Sequence, residues 1–379
     1  MKKVFFAGLL GLLLFEAANV YFIMPMPGSQ QMNSIDAAYF LYRYRWIFRV
    51  LFAVLMLMGL WKSEWKRKWV PFTGIAIAGM IIYLLNFKMA ADAMFRQPKE
   101  LRLLNAKENK VDSNRLVIGI EINGEAKAYP VQFIGYHHHL QDTVGGTPVL
   151  VTYCTVCRTG RVFSPFINGK RETFRLVGMD HFNAMLEDAT TKSWWRQSTG
   201  KAIAGKLKGA RLNELMSHQT SLKQWLSLHP NSLVMQADPA FINQYDSSFK
   251  YESGTSKSKL TGTDSSSWKM KSWVVGVKMM NNNTKAYDWN RLKKERMIVD
   301  TNENPAVLLV LANDEKSFFA YELMNADVQL LFLNDTITYN HKHFRINGKG
   351  IDTAASLKAL PAYQEFWHSW QTFQPQTKK

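Results

Sequence analysis

Three long apolar stretches at the start of the chain constrain its fold more than any other feature. About 20 helical residues cross the roughly 30 Å of hydrocarbon in a bilayer, and each stretch reaches that length. The third stretch carries no charged residue before Lys88. The sequence therefore predicts three transmembrane helices, at about residues 4–26, 37–61 and 69–87.

Polar residues interrupt the first two stretches. Glu16 and Asn19 lie within the first, for which a cleaved signal peptide is the alternative explanation. Glu16 takes a position where the cleavage signal requires a small residue, so an uncleaved helix is favoured. Arg43, Arg45 and Arg49 lie near the start of the second stretch. Their long side chains are predicted to reach out to the membrane interface.

Loop charges predict the orientation in the membrane. Four bases crowd the connection between the second and third stretches: Lys62, Lys66, Arg67 and Lys68. The loop at 27–36 has one acid and no base. Because basic loops stay in the cytoplasm, the amino terminus is predicted to be cytoplasmic. Residues 1–88 then form an anchor in the bacterial inner membrane, and residues 89–379 form a periplasmic domain.

The chain is strongly basic, with a formal net charge of +17 and a pI near 9.7. Many of the basic residues flank the apolar stretches, and the rest are scattered among acids. This distribution argues against nucleic-acid binding, which needs a clustered basic surface. It fits a membrane protein whose positive charges set its topology and face anionic lipid. The lipid bilayer is therefore the partner that the composition predicts.

The region after the anchor is predicted to be mainly β-structure. Asn-Gly pairs at 123–124 and 168–169 stand between short strand-like runs, which is the pattern of a tight hairpin. The best helix candidates are 220–228 and 362–372. The Ser-, Gly-, Thr- and Lys-rich segment 246–268 predicts a mobile loop or a substrate lid. The predicted fold class is α+β, with three N-terminal transmembrane helices followed by a β-rich exported domain with few helices.

Both cysteines of the chain, Cys154 and Cys157, stand between two runs with strand patterning. Thr159 and Gly160 stop any helix after the pair, so it is predicted to lie in a turn between strands. Two thiols at this spacing can close a disulfide, exchange one with a partner, or share a soft metal. In the oxidising periplasm, a disulfide is the expected resting state.

The favoured interpretation is that the cysteine pair is reactive. A bridge that closes so short a loop gains little stability from chain entropy, so a purely structural disulfide is the weaker explanation. Cys154 is predicted to be the more exposed, attacking thiol, and Cys157 to resolve the mixed disulfide. Arg158 follows directly and is predicted to lower the pKa of the attacking thiol, with Arg161 acting more weakly.

Histidines offer a second interpretation of the same region. His137 and His139 would share one face of a strand and are candidate metal ligands together with the cysteines. His181 stands between Met179 and Met185, and thioethers favour copper over zinc. The sequence thus names copper and zinc as candidate cofactors. The alternatives are a solvated turn for the histidines and core packing for the methionines.

A substrate-binding cleft is predicted from Asp188, Trp195, Arg196 and Gln197. The polar members are able to hydrogen-bond a small ligand, and core packing is the alternative for the tryptophan. The sequence has no nucleophile elbow, no phosphate-binding glycine loop and no paired-carboxylate signature. Whether the protein is an enzyme therefore stays open.

Several segments carry a resemblance to a known family: Asp142-Thr-Val-Gly-Gly-Thr-Pro-Val-Leu-Val-Thr-Tyr-Cys154-Thr-Val-Cys157, Ser193-Trp194-Trp195-Arg196-Gln197 and His229-Pro230. They resemble the bacterial family called domain of unknown function 3179, over about 129–239 and again near 365–375. The resemblance implies exported or membrane-anchored proteins with a paired-cysteine motif, some of them selenoproteins, and no established reaction. Before the first segment the family pattern has a histidine–glutamate pair and an asparagine, where this chain has His137, His138 and Gln141.

Two functions are weighed on this basis. The first is a membrane-anchored thiol-redox protein that acts on envelope thiol proteins through Cys154 and Cys157. The second is a metal-binding or envelope assembly module that receives copper from a metal donor and holds it with the cysteines and histidines. A structural envelope protein with an incidental bridge is the third alternative.

Overall fold

The computed structural model describes residues 1–279, 283–324 and 329–379 of the chain. Single-turn 3-10 helices occur at Ser29–Gln31 and Pro239–Phe241. The α-helices are α1 (Lys2–Tyr21), α2 (Ile35–Arg43), α3 (Arg45–Trp61), α4 (Trp69–Tyr83), α5 (Ala91–Met94), α6 (Val131–His137), α7 (Leu222–Leu228), α8 (Trp289–Glu295) and α9 (Trp367–Phe373).

Short strands dominate the chain after α5. In chain order they are β1 (Leu103–Asn105), β2 (Leu116–Ile122), β3 (Glu125–Pro130), β4 (His139–Val144), β5 (Thr147–Cys154), β6 (Thr159–Phe163), β7 (Phe166–Ile167), β8 (Lys170–Arg171), β9 (Phe174–Asp180), β10 (Asn183–Asp188), β11 (Trp194–Arg196), β12 (Ala202–Ala204), β13 (Glu214–Leu215), β14 (His218–Ser221), β15 (Leu233–Met235), β16 (Trp273–Lys278), β17 (Thr284–Asp288), β18 (Met297–Asp300), β19 (Ala306–Leu311), β20 (Phe318–Leu323), β21 (Leu330–Leu333), β22 (Thr336–Tyr339), β23 (Lys342–Arg345), β24 (Lys358–Leu360) and β25 (Ala362–Phe366).

The chain forms two compact units, each built from separate stretches of sequence. The first unit comprises Met1–Arg96, Glu172–Arg196 and Lys201–Arg211. The second comprises Gln97–Arg171, Gln197–Gly200 and Leu212–Lys379. The predicted α+β class with a β-rich region and few helices is confirmed.

Two helices of the first unit are long and apolar enough to cross a membrane, Lys2–Tyr21 and Trp69–Lys88. The second predicted span is broken: α2 and α3 meet at an angle of 62°, and the number of spans is three only if this bent pair counts as one. At the break, Tyr44 leaves the helical range with φ −100° and ψ 15°. Arg45 Nη1 donates to Tyr42 O at 2.7 Å and so satisfies a carbonyl at the end of α2.

A polar cluster joins the helices of the first unit. Arg49 Nε and Nη2 donate to the two carboxylate oxygens of Glu16 at 2.6 and 2.9 Å, and Arg49 Nη2 also donates to Asn86 Oδ1 at 2.7 Å. Arg49 is therefore matched with Glu16 and Asn86 within the helix bundle, and its predicted position at the membrane interface stays a prediction. The same helices approach closely at Gly59, where an added Cβ would lie 2.3 Å from Phe5 N.

The first unit also contains a four-stranded antiparallel sheet in the order β12-β11-β10-β9. Its core is formed by small and aromatic side chains from the sheet and from α2: Ala38, Val177, Met185, Trp194 and Ala204. Met185, a predicted alternative metal ligand, is fully buried in this core. The packing explanation fits it.

The second unit is built from several small sheets. The orders of the four larger ones are β1-β15-β3-β2-β14, β13-β6-β5-β4, β17-β16-β25 and β18-β19-β20-β24. All strand pairs in them are antiparallel except β15 with β3. The sheet β13-β6-β5-β4 carries the cysteines at one end of β5.

Local sequence signals were correct at the turns and less so at the predicted helices. Both Asn-Gly pairs have positive φ at each residue, which confirms the tight hairpin turns at 123–124 and 168–169. The predicted helix 220–228 begins only at Leu222, after Ser221 caps it by accepting from Gln224 N at 3.0 Å. The predicted helix 362–372 is strand β25 followed by α9, because Ala362–Phe366 pairs with β16.

Candidate functional site

The cysteine pair lies in the turn between β5 and β6. Cys154 is the last residue of β5 and pairs with Thr159, the first residue of β6. Arg158 has a φ of 56°, which lets the chain reverse within the turn. The predicted position of the pair, in a turn between strands and not in a helix, is confirmed.

Both cysteines are free thiols with no exposed surface. The prediction that Cys154 is the more exposed of the two is therefore wrong: each has 0 % exposure. The expected resting disulfide is likewise not the form that this structure holds. The reason for the burial is that segments far away in sequence pack over the turn.

Burial raises the pKa of the Cys157 thiol well above its usual value, and the hydrogen bond with Cys154 acts in the same direction. A hydrogen bond with Ser369 acts in the opposite direction. Desolvation of the thiolate is the largest cause of this shift. The lowering that the sequence predicts concerns the pKa of Cys154 and stays a prediction. At neutral pH, Cys157 is a protonated thiol that needs a base in order to react.

A buried carboxylate stands next to that thiol network. Ser369 Oγ donates to Glu365 Oε2 at 2.8 Å, and Thr159 Oγ1 donates to Glu365 Oε1 at 2.8 Å. Arg161 Nη2 forms an ion pair with the same Oε1 atom. Glu365 is 1 % exposed. Ser369 therefore lies between the Cys157 thiol and the Glu365 carboxylate and hydrogen-bonds with both.

Strand β25 and helix α9 hold this chain against the cysteine turn. Phe366 N donates to Cys157 O at 3.0 Å, so the strand carrying Glu365 is attached directly to the backbone of the turn. His368 Nε2 lies 3.3 Å from Val156 O. Glu365 lies in β25 and Ser369 in the first turn of α9, and the junction between strand and helix brings the two side chains together.

Arg161 is buried in a balanced group of charges below the turn. Besides Glu365, it lies 3.2 Å from Glu214, and its guanidinium stacks 3.4 Å from the centre of the Tyr363 ring. Lys278 Nζ lies 2.6 Å from Glu214. Lys278 and Arg161 lower the pKa of Glu214 against its burial. Two cations and two carboxylates thus compensate each other.

Arg158 binds segments that are far away in sequence, and its predicted effect on the pKa of the attacking thiol stays a prediction. Its Nε donates to Gln364 Oε1 at 2.9 Å, and its two terminal nitrogens donate to Tyr251 O and Glu252 O at 3.0 and 3.1 Å. Its guanidinium lies 3.7 Å from the Trp273 ring centre. The side chain therefore holds the segment around Tyr251 in place.

Tyr251 packs directly on the cysteine turn. Its hydroxyl donates to Thr155 O at 3.0 Å and lies 3.1 Å from the hydroxyl of Tyr153. Burial raises the pKa of Tyr251 well above its usual value, so it remains a neutral hydroxyl. Tyr251 belongs to the segment 246–268, which the sequence predicts as a loop or lid. In the structure this segment contributes to the burial of the thiols.

The three consecutive histidines are buried and point to different partners. His137 Nε2 lies 2.8 Å from the Tyr245 hydroxyl, His138 Nδ1 lies 3.0 Å from Tyr153 O, and His139 Nδ1 lies 3.2 Å from Gln97 Nε2. They are not the solvated turn of the alternative explanation, since each is at most 3 % exposed.

The predicted metal ligands are not gathered into one cluster. His181 lies in the first unit, with Nδ1 2.6 Å from Asp180 Oδ1, whereas the cysteines lie in the second. Within residues 1–279, 283–324 and 329–379, no group of three or more His, Cys, Asp or Glu side chains is placed to hold a metal ion. The copper or zinc site stays a prediction.

The predicted cleft residues are divided between the two units. Asp188 accepts from Trp195 Nε1 at 2.9 Å and from Thr191 Oγ1 at 2.8 Å, and Arg196 Nε donates to Asp180 at 2.7 Å. These three belong to the first unit, where Trp195 is 1 % exposed. The packing alternative fits Trp195, and Asp188 organises a local turn.

Gln197, the fourth predicted cleft residue, lies in the second unit beside the cysteine strands. Its Nε2 donates to Thr152 Oγ1 at 2.9 Å and to Thr159 O at 3.1 Å. It therefore joins β5 to β6 next to the turn. Substrate binding by this set of residues stays a prediction.

Sequence reasoning missed Glu365, Ser369 and Tyr251 as site residues. Glu365 is 206 positions from Thr159, so no local pattern relates them. One signal was present: the family resemblance recurs near 365–375, and this second patch is the one that packs on the cysteine turn.

The fold and the site define a class of protein. Apolar helices long enough to cross a membrane come first in the chain, and an α+β region with a buried, hydrogen-bonded Cys-x-x-Cys thiol pair comes after them. The chain belongs to the family described as protein of unknown function DUF3179, whose model matches residues 97–377. This confirms the resemblance found from the motifs. Comparison with curated proteins and with solved structures found no significant match.

Lowering the pH is expected to destabilise the chain between pH 6.5 and pH 4. Burial lowers the pKa of both His138 and His368 from 6.5 to about 4. The unfolded chain then binds the proton more tightly than the folded one, so each histidine costs about 1.4 kcal/mol per pH unit within that window. Thermal unfolding of the full chain in mild detergent measures this, with His368→Gln predicted to give a shallower decline. An equal loss of stability in His368→Gln and in the original chain, as the pH falls, would contradict the role of His368.

Proposed function

We propose that this chain is a membrane-anchored thiol–disulfide exchange protein, in which Cys154 and Cys157 alternate between a dithiol and a disulfide. The observation that carries the proposal is the buried path from the Cys157 thiol through Ser369 Oγ to Glu365 Oε2. A thiol whose pKa is raised by burial is unreactive unless a base takes its proton. Glu365 is placed to be that base.

The exchange balances as follows. Ser369 accepts the Cys157 proton while passing its own proton to Glu365, and the thiolate attacks a disulfide of an envelope protein to form a mixed disulfide. One sulfur of the partner leaves as a thiolate and takes the proton back from Glu365. Cys154 then attacks the Cys157 sulfur and closes the Cys154–Cys157 disulfide, and the Cys154 proton goes to the partner's second sulfur, which leaves as a thiol. Two protons and two electrons thus pass from this chain to the partner disulfide.

Burial of both thiols implies that the turn opens before exchange. Tyr251 and the segment held by Arg158 are the covering parts with identified hydrogen bonds to the turn. Reversible movement of this segment gives access to a partner and, when closed, protects the dithiol from other oxidants. Redox titration of the full chain in glutathione buffers, with free thiols counted by alkylation, tests the exchange directly.

The anchoring part of the proposal places three spans in the bacterial inner membrane, with the amino terminus cytoplasmic and the carboxyl-terminal region periplasmic. Support comes from the apolar side chains that the helices expose, among them Trp61 at 90 % and Phe87 at 64 %. Such exposure is costly in water and favourable in lipid.

A pair of reporter fusions tests this topology. A reporter that is active only outside the cytoplasm is expected to be active after Lys379 and inactive in the basic loop that contains Lys66, because the basic loop stays inside. The reverse pattern would remove the oxidising compartment from the proposal. Reporter activity at both positions would contradict an odd number of membrane crossings between the basic loop and Lys379.

A further inference from the structure

A cavity in the first unit is lined by residues near the ends of three helical segments. It has a volume of about 450 Å³. Its walls come from the end of α1, the start of α3, the end of the helix Trp69–Lys88 and the strands β9 and β10. If these helices cross a bilayer, those ends lie at the boundary between hydrocarbon and water.

Both apolar and charged side chains line the cavity. The apolar ones are Val20, Ile23, Met24, Leu85 and Met89. The charged ones are Arg45, Arg49, Arg175, Lys192, Asp92 and Glu187. This combination matches an amphiphile whose headgroup and first acyl carbons enter together.

Charge counting favours an anionic headgroup. Four cations line the cavity, against Asp92, Glu187 and the Glu16 carboxylate bound to Arg49. Arg175 is already matched with Glu187 at 2.8 Å and with Asp92 at 3.0 Å. Arg45 contacts neutral groups, the Tyr42 carbonyl and, at 4.1 Å, the Tyr42 ring. One positive charge remains to be neutralised, which corresponds to one phosphodiester.

An unsatisfied acceptor favours a headgroup with hydroxyl donors. Asn19 Nδ2 donates to Phe15 O at 3.2 Å, but Asn19 Oδ1 is buried and has no hydrogen-bond partner in the described part of the chain. A buried acceptor without a partner is costly, and a ligand hydroxyl would satisfy it. Asn19 is also one of the two polar residues that interrupt the first apolar stretch of the sequence.

We propose that this cavity binds the headgroup of a singly charged phospholipid with free hydroxyls, of the phosphatidylglycerol type. Arg45 and Lys192 hold the phosphate, and Asn19 Oδ1 accepts from a headgroup hydroxyl. The acyl chains lie against the apolar lining residues. Choline headgroups supply neither the net charge nor the donor, and ethanolamine supplies a donor without the net charge. The inference rests on the proposed anchoring and is independent of the thiol chemistry.

The test is lipid retention by the full chain in mild detergent, measured by native mass spectrometry with phosphatidylglycerol, phosphatidylethanolamine and phosphatidylcholine supplied equally. Phosphatidylglycerol is expected to be retained about tenfold or more above phosphatidylcholine, which corresponds to one charge-assisted hydrogen bond. Water-soluble glycerol phosphate, supplied as a competitor, is expected not to displace the lipid, because it lacks the apolar contacts.

Two variants and one matched control make the test specific. Arg45→Gln is expected to lower retention of phosphatidylglycerol about tenfold, and Asn19→Leu about threefold to tenfold. Asn19→Leu places an apolar residue in an apolar helix and so keeps the fold. Arg43→Gln, two residues from Arg45 and outside the cavity lining, is expected to have no effect.

Equal retention of all three lipids, or equal behaviour of the Arg45 and Arg43 variants, would overturn the lipid site. Displacement by glycerol phosphate would show an ordinary phosphate site instead. Membrane fractionation separates the two proposals: a chain that sediments with membranes but shows no lipid preference refutes only the cavity, whereas a chain found free of membranes refutes the anchoring itself.

Discussion

Replacing Glu365 with glutamine is expected to slow closure of the Cys154–Cys157 disulfide by at least about a hundredfold at pH 7, the lower range for losing a general base. Glutamine keeps the size of the side chain but cannot accept the proton that Ser369 passes on. The raised pKa of Cys157 then leaves almost no thiolate at neutral pH. The rate is measured by stopped-flow mixing of the reduced full chain with a small disulfide, with alkylation of the remaining thiols.

The control for this prediction is Glu214→Gln. Both carboxylates lie near Arg161, so either change leaves that buried cation with one partner fewer and is expected to cost about 3 kcal/mol of stability. Of the two carboxylates, only Glu365 contacts Ser369. Slow closure in Glu365→Gln and normal closure in Glu214→Gln supports the relay. If both close at the original rate, Glu365 is only an ion-pair partner.

Replacing Tyr251 with alanine is expected to raise the alkylation rate of the native thiols by about a hundredfold. Removing a buried aromatic side chain costs about 3 kcal/mol, and here that cost falls on the closed form of the segment over the turn. Opening then becomes more frequent while the rest of the second unit keeps its core. The measurement is the reaction of the reduced full chain with a maleimide under native conditions.

Tyr251→Phe is the matched variant. It keeps the ring and removes only the hydroxyl, which contacts Thr155 O and the Tyr153 hydroxyl. We expect a smaller increase, about thirtyfold, since the two lost hydrogen bonds are worth about 1 kcal/mol each. Alkylation that stays slow in Tyr251→Ala would mean that the thiols are reached by another route.

Features set by neighbouring residues were predictable from the sequence. The Asn-Gly turns, the end of β5 at Cys154 and the apolar helices follow from local preferences of backbone and side chain. The break at Tyr44 was not predicted, because apolar content alone does not show where a helix bends. The predicted helix at 362–372 failed in its first half, because pairing of β25 with β16 overrode local propensity.

The chemistry of the site depends on contacts that no local pattern contains. Arg158 is adjacent to Cys157 in sequence, which suggested that it acts on a thiol, yet its guanidinium holds Tyr251, Glu252 and Gln364. Burial likewise raises the pKa of Cys157. Burial is a property of the assembled fold, so this shift could not be read from neighbouring charges alone.

Equilibrium redox titration of the full chain tests the central claim most directly. The chain is held in mild detergent in glutathione buffers of defined potential, and the number of free thiols is counted after alkylation. We expect one reversible two-electron transition within the range of the buffers, and none in Cys154→Ser or Cys157→Ser. A pair that stays reduced or oxidised across the whole range contradicts the exchange function. Copper or zinc that is lost in the serine variants would instead support the metal site predicted from the sequence.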